Sequence, residues 1–221
     1  AEKVFERFGY TQILTPILEE TALFLRSIGE GTDIVHKEMY TFVDRDGTSV
    51  TLRPEGTASV CRAYIQSGRI KSDPETRWYY FGPMFRHERP QKGRLRQFHQ
   101  VGAELFGIAT PESDAEIIDM AWQFLEELKL KNLTLHVNSV GCNNCRLPYQ
   151  TKLISAIESL PISLPEHILE RFKNNPLRIF DTKDEELRAH IVTLPKISDS
   201  LCEPCLSHDR QLKHCFEILK I

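Results

Sequence analysis

Phe85-Arg86-His87-Glu88-Arg89-Pro90-Gln91-Lys92-Gly93-Arg94-Leu95-Arg96-Gln97-Phe98-His99-Gln100 sets five cationic side chains, Arg86, Arg89, Lys92, Arg94 and Arg96, around one proline and one glycine. Trp78-Tyr79-Tyr80-Phe81 before it is aromatic and strand-like, and Gln97 to Phe106 alternates as a second strand. The segment is therefore expected to be a β-hairpin with a short basic loop. A basic loop alone reads most simply as a solvated surface. The strand after it changes that reading, because a period of two puts Arg96, Phe98, Gln100, Gly102, Glu104 and Phe106 on one face. A carboxylate and an amide are expensive to bury unpaired. A face offering both beside a bare glycine suits a polar ligand, against the plainer alternative of a half-buried strand whose polar side meets water.

The surrounding chain is ordinary in bulk. Its 221 residues are 41% hydrophobic and 27% charged, enough for one good core or two modest ones. It has no run of about 18 apolar residues and no signal-peptide pattern, so a membrane-spanning helix is excluded and a soluble, cytoplasmic protein is expected. The net charge of -3 gives no global affinity for nucleic acid. Positive charge is concentrated at 86–96, where it suits the phosphates of a nucleotide as well as a polynucleotide backbone.

Residues 1–140 read as a first domain. Val4, Phe5 and Phe8 line one face of a helix that Gly9 ends, and Met39–Val43 and Thr48–Leu52 flank an Asp44-Arg45-Asp46-Gly47 turn as a hairpin. A helix runs from a Thr57 cap through Val60, Cys61 and Tyr64 to Gly68, which places Glu55 just before a helix N-terminus. Ser113-Asp114-Ala115-Glu116 reads as a capping box for a helix carrying Ile117, Ile118, Ala121, Phe124, Leu125 and Leu128. Leu133, Leu135 and Val137 alternate with Thr134, His136 and Asn138, as expected of a strand returning to the sheet. This mixture predicts an α+β fold with antiparallel pairing. Residues 141–221, punctuated by Pro161, Pro165, Pro176, Pro195 and Pro204, read as a smaller, mostly helical second domain. The chain opens inside a helical pattern without an initiator Met and stops inside another, so it is expected to be a fragment.

Six cysteines include two C-x-x-C knuckles, Cys142-Asn143-Asn144-Cys145 and Cys202-Glu203-Pro204-Cys205, which bracket the second domain. That spacing suits tetrahedral zinc, although the knuckles lie far beyond the usual ribbon separation. Free thiols and a disulfide are the alternatives, the latter disfavoured in a cytosolic setting. Cys61 and Cys215 fall on apolar helical faces and are expected in the core. His36, His99 and His136 are expected to be structural.

Phe85–Gln100 resembles motif 2 of the class II aminoacyl-tRNA synthetases, in the version found in the histidyl-tRNA synthetase family. Arg53-Pro54-Glu55-Gly56-Thr57 resembles that family's amino-acid-binding stretch. Phe8-Gly9-Tyr10 leading to Thr15-Pro16-Ile17-Leu18-Glu19 is similar to its motif 1, and Asp33-Ile34-Val35 with Lys37–Phe42 also looks like the family. The likeness weakens after about residue 145, where Asn175-Pro176-Leu177-Arg178-Ile179 is similar to the centre of the family's insertion domain.

The resemblance implies a class II antiparallel sheet flanked by helices, an incomplete catalytic core over 1–140 and a helical insertion domain over 141–221. It implies activation of histidine by ATP with Mg²⁺, transfer of the histidyl group to the 3′ end of histidine tRNA, and a homodimer formed through the motif 1 region. Arg86 is the implied catalytic arginine, since a planar guanidinium can touch the attacking carboxylate and the α-phosphate together. Glu55, Gly56, Thr57, Arg86, Gln100 and Glu104 are the implied histidine-binding positions, with Glu104 facing the imidazole. Arg86, Glu88, Arg94 and Phe98 are implied for ATP, Glu88 through adenine or Mg²⁺ and Phe98 by stacking on the base. His87, Arg89, Lys92 and Arg94 are left between the β- and γ-phosphates and the acceptor end of the tRNA. Motif 3, the histidine-binding arginine and tyrosine expected after the insertion, and the anticodon-binding domain are not in this sequence. A chain so truncated is expected to be inactive alone. The alternative reading is a non-catalytic, histidine-binding regulatory subunit of histidine biosynthesis.

Overall fold

The computed structural model describes every residue except Glu30, Gly31, Asp33, Pro90, Ser163, Glu166, His167, Ile168, Arg171, Asn174 and Lys183. Asp33, Pro90 and the side chain of His36, to which the sequence reading gave meaning, lie outside the described set. The chain forms two compact units, Ala1–Lys131 and Asn132–Ile221, dividing after Lys131 rather than after residue 140.

The first unit runs α1 (Glu2–Arg7), β1 (Thr11–Gln12), β2 (Leu18–Glu20), α2 (Thr21–Ile28), a π-helical turn (Ile34–Glu38), β3 (Tyr40–Val43) and β4 (Ser49–Leu52). It continues through α3 (Thr57–Gln66), α4 (Arg69–Ser72), β5 (Thr76–Phe85), β6 (Gln97–Phe106) and α5 (Pro111–Glu127). β5 and β6 form the hairpin read from the sequence, antiparallel from Thr76↔Phe106 to Phe85↔Gln97. Arg86 stands one residue beyond β5, yet its N–H still donates to the Arg96 carbonyl at 3.0 Å. β1 joins β5 in parallel, so this sheet is mixed, whereas β2, β4 and β3 form a second sheet that is antiparallel throughout. The fold is α+β.

Alternation along the hairpin separates two apolar clusters. Tyr79, Val101, Ala103 and Leu105 pack with Val4 and Phe5 of α1 and Met120 and Phe124 of α5. Tyr80, Met84, Trp78, Phe98 and Phe106 pack with Val60 of α3. Both faces of the hairpin are covered, and the face expected to take a ligand is the one beneath α3. Arg53, buried just after β4, ties the segments together. Its Nε donates to the Pro83 carbonyl at 3.0 Å and its Nη1 to the Thr15 carbonyl at 2.8 Å, with Thr15 Oγ1 and the Pro16 carbonyl also in reach. Burial holds its guanidinium below the usual arginine range.

Several local expectations shift. The capping box at α5 is Thr110 with Ser113, not Ser113 with Glu116. Pro111 at the first helical position fixes the start there. Glu116 instead pairs with Arg77 at 3.1 Å. Thr57 is the first residue of α3 and not its cap. Leu133–Val137 form no strand: their burial alternates as expected, but no ladder pairs with them. An alternating segment without a hydrogen-bonded neighbour stays irregular.

The second unit contains α6 (Asn143–Glu158), a 3₁₀ turn (Pro176–Asp181), α7 (Glu185–Ile191), a second 3₁₀ turn (Ile197–Ser200) and α8 (Glu203–Leu219). Its core gathers Tyr149, Leu153, Ile157, Phe172, Ile179, Leu187, Leu194 and Ile197. Ile179, which ends the Asn175–Ile179 stretch, is fully buried. No helix among the described residues is long and apolar enough to cross a membrane.

Candidate active site

Glu55 caps α3. Its Oε2 accepts the Thr57 N–H at 2.6 Å and its Oε1 the Ala58 N–H at 3.0 Å, so both oxygens meet the exposed amides of the first turn. A carboxylate here does the work expected of the Thr57 hydroxyl. That hydroxyl turns instead to Glu104 and Tyr80, hydrogen-bonding both. Burial pushes the Glu104 carboxyl above the usual range and the nearby Glu55 charge adds to the rise, while the Thr57 hydrogen bond opposes it. Glu55, Thr57 and Glu104 are thus brought together as the sequence suggested.

The glycines need a different explanation. Gly102 was expected to leave room for a ligand, but Tyr80 fills that room and the space beside Gly56. A Cβ on Gly56 would lie 2.2 Å from a Tyr80 ring carbon, and a Cβ on Gly102 would lie 2.3 Å from the Tyr80 hydroxyl. The ring, 6% exposed, is wedged between the two backbones and forms the floor beside Glu104 and Thr57. Burial raises the Tyr80 phenol, which stays a neutral hydrogen-bonding group. Sequence reading missed this residue although a signal existed: pairing Phe85 with Gln97 sets Tyr80 directly opposite Gly102.

Cys61 was also missed. It is half-buried, and burial followed by the Glu104 and Glu55 charges raises its thiol, which places it on the α3 face toward those carboxylates rather than in a core. Gln100 lies opposite Gly82, and its buried Oε1 has no hydrogen-bond partner among the described residues. A buried amide oxygen left in that state is an acceptor for a donor from outside the chain.

Arg86 is held at its neck. Its Nε donates to the Pro54 carbonyl at 2.9 Å, and its guanidinium carbon sits 5.3 Å from the centre of the Phe98 ring. One N–H is thereby fixed on backbone and one face on an aromatic plane, which leaves the terminal nitrogens for an anion. Phe98, expected to stack on a base, stacks with Arg86. Glu88 Oε2 lies 3.0 Å from Arg94 Nη1 without hydrogen-bond geometry, so the pair is a coulombic contact. The loop tip closes through a Gln91↔Arg94 bridge, and His87 packs edge-on to Tyr40 at 5.5 Å. His99 and His136 are exposed, and His99 stacks on Phe81.

In the second unit the four knuckle cysteines converge, all four Sγ atoms lying within 4.8 Å of one another. The Cys142 thiol, drawn down to about 7 chiefly by the Cys145 N–H, is exposed, while Cys145 is buried. Cys215 is half-buried rather than in the core. A cleft of about 320 Å³ lined by Tyr149, Leu177, Phe180 and Ile197 lies in the same unit. It is apolar, and none of the groups just described for amino-acid or phosphate chemistry opens into it.

A helix-covered sheet whose antiparallel hairpin carries an anchored arginine and a half-buried glutamate is the frame of a class II aminoacyl-tRNA synthetase catalytic domain. Histidyl-tRNA synthetase from Staphylococcus aureus superposes with a TM-score of 0.76 at 32% identity, over 100% of this chain and 49% of that one. A Bacillus halodurans protein described as an ATP phosphoribosyltransferase regulatory subunit/histidyl-tRNA synthetase shares the fold, with a TM-score of 0.61 at 22% identity over 88% of this chain and 45% of its own. Residues 1–144 match the histidyl-tRNA synthetase family, and the chain belongs to it.

Its relatives include the histidine–tRNA ligases of Thermodesulfovibrio yellowstonii, 50% identical over 94% of this chain and 50% of theirs, and Syntrophotalea carbinolica, 44% identical over 100% and 53%. The chain spans about half the length of the curated relatives it matches.

Proposed function

We propose that this chain supplies the amino-acid-activating part of a cytoplasmic histidine–tRNA ligase. Its motif 1 and motif 2 core falls in the first unit, Ala1–Lys131, and its helical insertion domain in the second, Asn132–Ile221. The observation that carries the reading is Arg86, tethered to the Pro54 carbonyl and stacked on Phe98, on the same hairpin as half-buried Glu104.

In the first step a histidine carboxylate oxygen attacks the α-phosphorus of ATP. A new oxygen–phosphorus bond forms, the bond to the β-phosphate oxygen breaks, and pyrophosphate leaves. The two reactants repel each other as anions. The free edge of the Arg86 guanidinium bridges them, and because it is fixed before substrate arrives, little reorganisation is needed in the transition state. The adenylate then passes its histidyl group to the 3′ end of histidine tRNA, for which exposed His87, Arg89, Lys92 and Arg94 are the available contacts.

Glu104 reads the imidazole, Gln100 offers its unpartnered oxygen to a substrate N–H, and Glu55, positioned by the α3 amides, attracts the α-ammonium group. An enclosed acceptor that loses its donor can discriminate by as much as ~10⁴-fold, which selects histidine against apolar amino acids. Gly56 and Thr57 serve the pocket indirectly, through Tyr80.

Among the described residues no cluster of carboxylates forms a cation site. Mg²⁺ would therefore be held largely by the ATP phosphates and water, with Glu88 the hairpin carboxylate in position to join them; when bound it neutralises phosphate charge. Zinc at Cys142, Cys145, Cys202 and Cys205 would be structural, outside the reaction. A homodimer through the motif 1 region completes the reading.

The test is histidine-dependent ATP–pyrophosphate exchange by the natural protein that carries this chain. Exchange that requires histidine supports the reading. Histidine binding without exchange would point to a regulatory subunit, and neither binding nor exchange would sink both.

A further inference from the structure

We propose that Cys142, Cys145, Cys202 and Cys205 form a tetrahedral zinc site whose occupancy determines whether the second unit holds its fold. The inference rests on zinc as the ion of this cluster and is independent of histidine activation.

The spacing of the sulfurs is the first argument. Four ligands about 2.3 Å from a zinc ion stand about 3.8 Å apart along the edges of a tetrahedron. Cys142 Sγ lies 3.7 Å from Cys145 Sγ and 3.7 Å from Cys202 Sγ, and all four fall within 4.8 Å of one another. A disulfide needs about 2.05 Å. These pairs are nearly twice as far apart, and all four cysteines are free.

The second argument is the set of donors around the sulfurs. Cys142 caps α6 and Cys202 caps α8, each knuckle forming the first turn of its helix. Within the knuckles, the Cys145 and Asn144 N–H groups lie near the Cys142 sulfur and the Cys205 N–H near the Cys202 sulfur, while the Cys145 N–H donates to the Cys142 carbonyl at 3.0 Å. Across them, the Cys202 N–H donates to Cys145 Sγ at 3.0 Å and the Cys142 N–H lies near Cys205. Each sulfur thus has a backbone amide beside it, and one of these, from Cys202 to Cys145, ties the two knuckles directly. Amides and two helix N-termini face the sulfurs, and such outer partners orient metal ligands.

Packing does not account for the cluster. Cys145 is buried, but none of the four cysteines joins the unit's main apolar cluster. Metal binding would close the 142–202 loop and join the starts of α6 and α8, the two longest helices described in this unit, and in small domains such closure is coupled to folding.

The experiment uses the 1–221 chain, purified without added metal and analysed for bound metal, then stripped with a chelator and reloaded with zinc or cobalt(II). One zinc per chain is expected, together with the intense visible bands and thiolate charge-transfer bands of a four-sulfur cobalt site. Cys142→Ser should lose that spectrum, and Cys205→His, which keeps a zinc ligand, should retain bound metal. Stripping should lower the melting temperature of the second unit by about 10 °C or more and raise amide hydrogen exchange in α6 and α8 at least tenfold, both restored by zinc. Absence of stoichiometric metal, or four thiols reacting freely in a chain of unchanged melting temperature, would overturn the site. Bound zinc whose removal leaves exchange in α6 and α8 unchanged would overturn the coupling.

Discussion

The two units hold their polar groups in contrasting ways. In the first, a ten-pair β5/β6 ladder sets side chains on both faces, and the charged groups of the site are anchored by backbone: Arg86 on a carbonyl, Glu55 on two amides, Arg53 on several carbonyls. In the second, helices and 3₁₀ turns without a sheet among the described residues surround a small apolar core, and four sulfurs meet at two helix starts. A long ladder can carry an anionic and a cationic group on one rigid frame. A unit without a ladder needs some other fastening. The lesson is that reaction chemistry sits where the backbone supplies the scaffold, and cysteine where it does not.

Substitutions can break or sharpen this contrast. The largest effect is expected at the second unit's core, where Leu153→Ala leaves a hole beneath α6 and should cost about 3–4 kcal/mol in denaturant unfolding followed by hydrogen exchange at α6. Gly102→Ala drives a methyl group into Tyr80 and should cost about 2–3 kcal/mol in the first unit, measured by the same melts. Arg53→Lys keeps the charge but cannot reproduce the fork of hydrogen bonds, and a loss of about 1–3 kcal/mol is expected. A loss near zero would mean that the carbonyls of Thr15 and Pro83 find other donors and that ladder-based anchoring is less demanding than it looks.

Glu104→Gln should have the smallest effect on folding, and one of opposite sign. Its folded carboxyl titrates above the ordinary value because burial disfavours the charge. Folding then favours the protonated form, so the penalty is absent below the unfolded pKa and grows as pH rises through the raised folded value. Removing the carboxylate should raise the melting temperature at neutral pH by a few degrees at most, leave it unchanged near pH 4, and abolish histidine selection. Equal melting temperatures of the two proteins at both pH values would show that Glu104 is not strained.

Much of this contrast could be read in advance from local patterns. The aromatic run, the turn residues and the alternation after Gln97 were enough for the hairpin and its two faces, and Pro111–Glu127 announced itself by its apolar spacing. What escaped was set by partners distant in sequence. Glu55 outcompetes Thr57 as the cap because its side chain reaches back over two amides, which propensity does not reveal. Leu133–Val137 has a strand's pattern, yet pattern cannot supply a neighbour. The parallel pairing of β1 with β5 joins segments more than sixty residues apart, and nothing local marks it. The knuckles were visible as pairs, whereas their convergence depends on how the whole unit folds.

Tyr80, held between Gly56 and Gly102, bears on how this pocket can be re-engineered. The three positions behave as a single lock, spread over a helix entrance and two strands. A library that varies them one at a time meets a steric barrier at either glycine and an unfilled gap at the tyrosine. New amino-acid specificity is therefore reached only through simultaneous changes, a small ring exchanged together with added methyl groups, and a lineage evolving by single steps would find this corner of sequence space nearly closed.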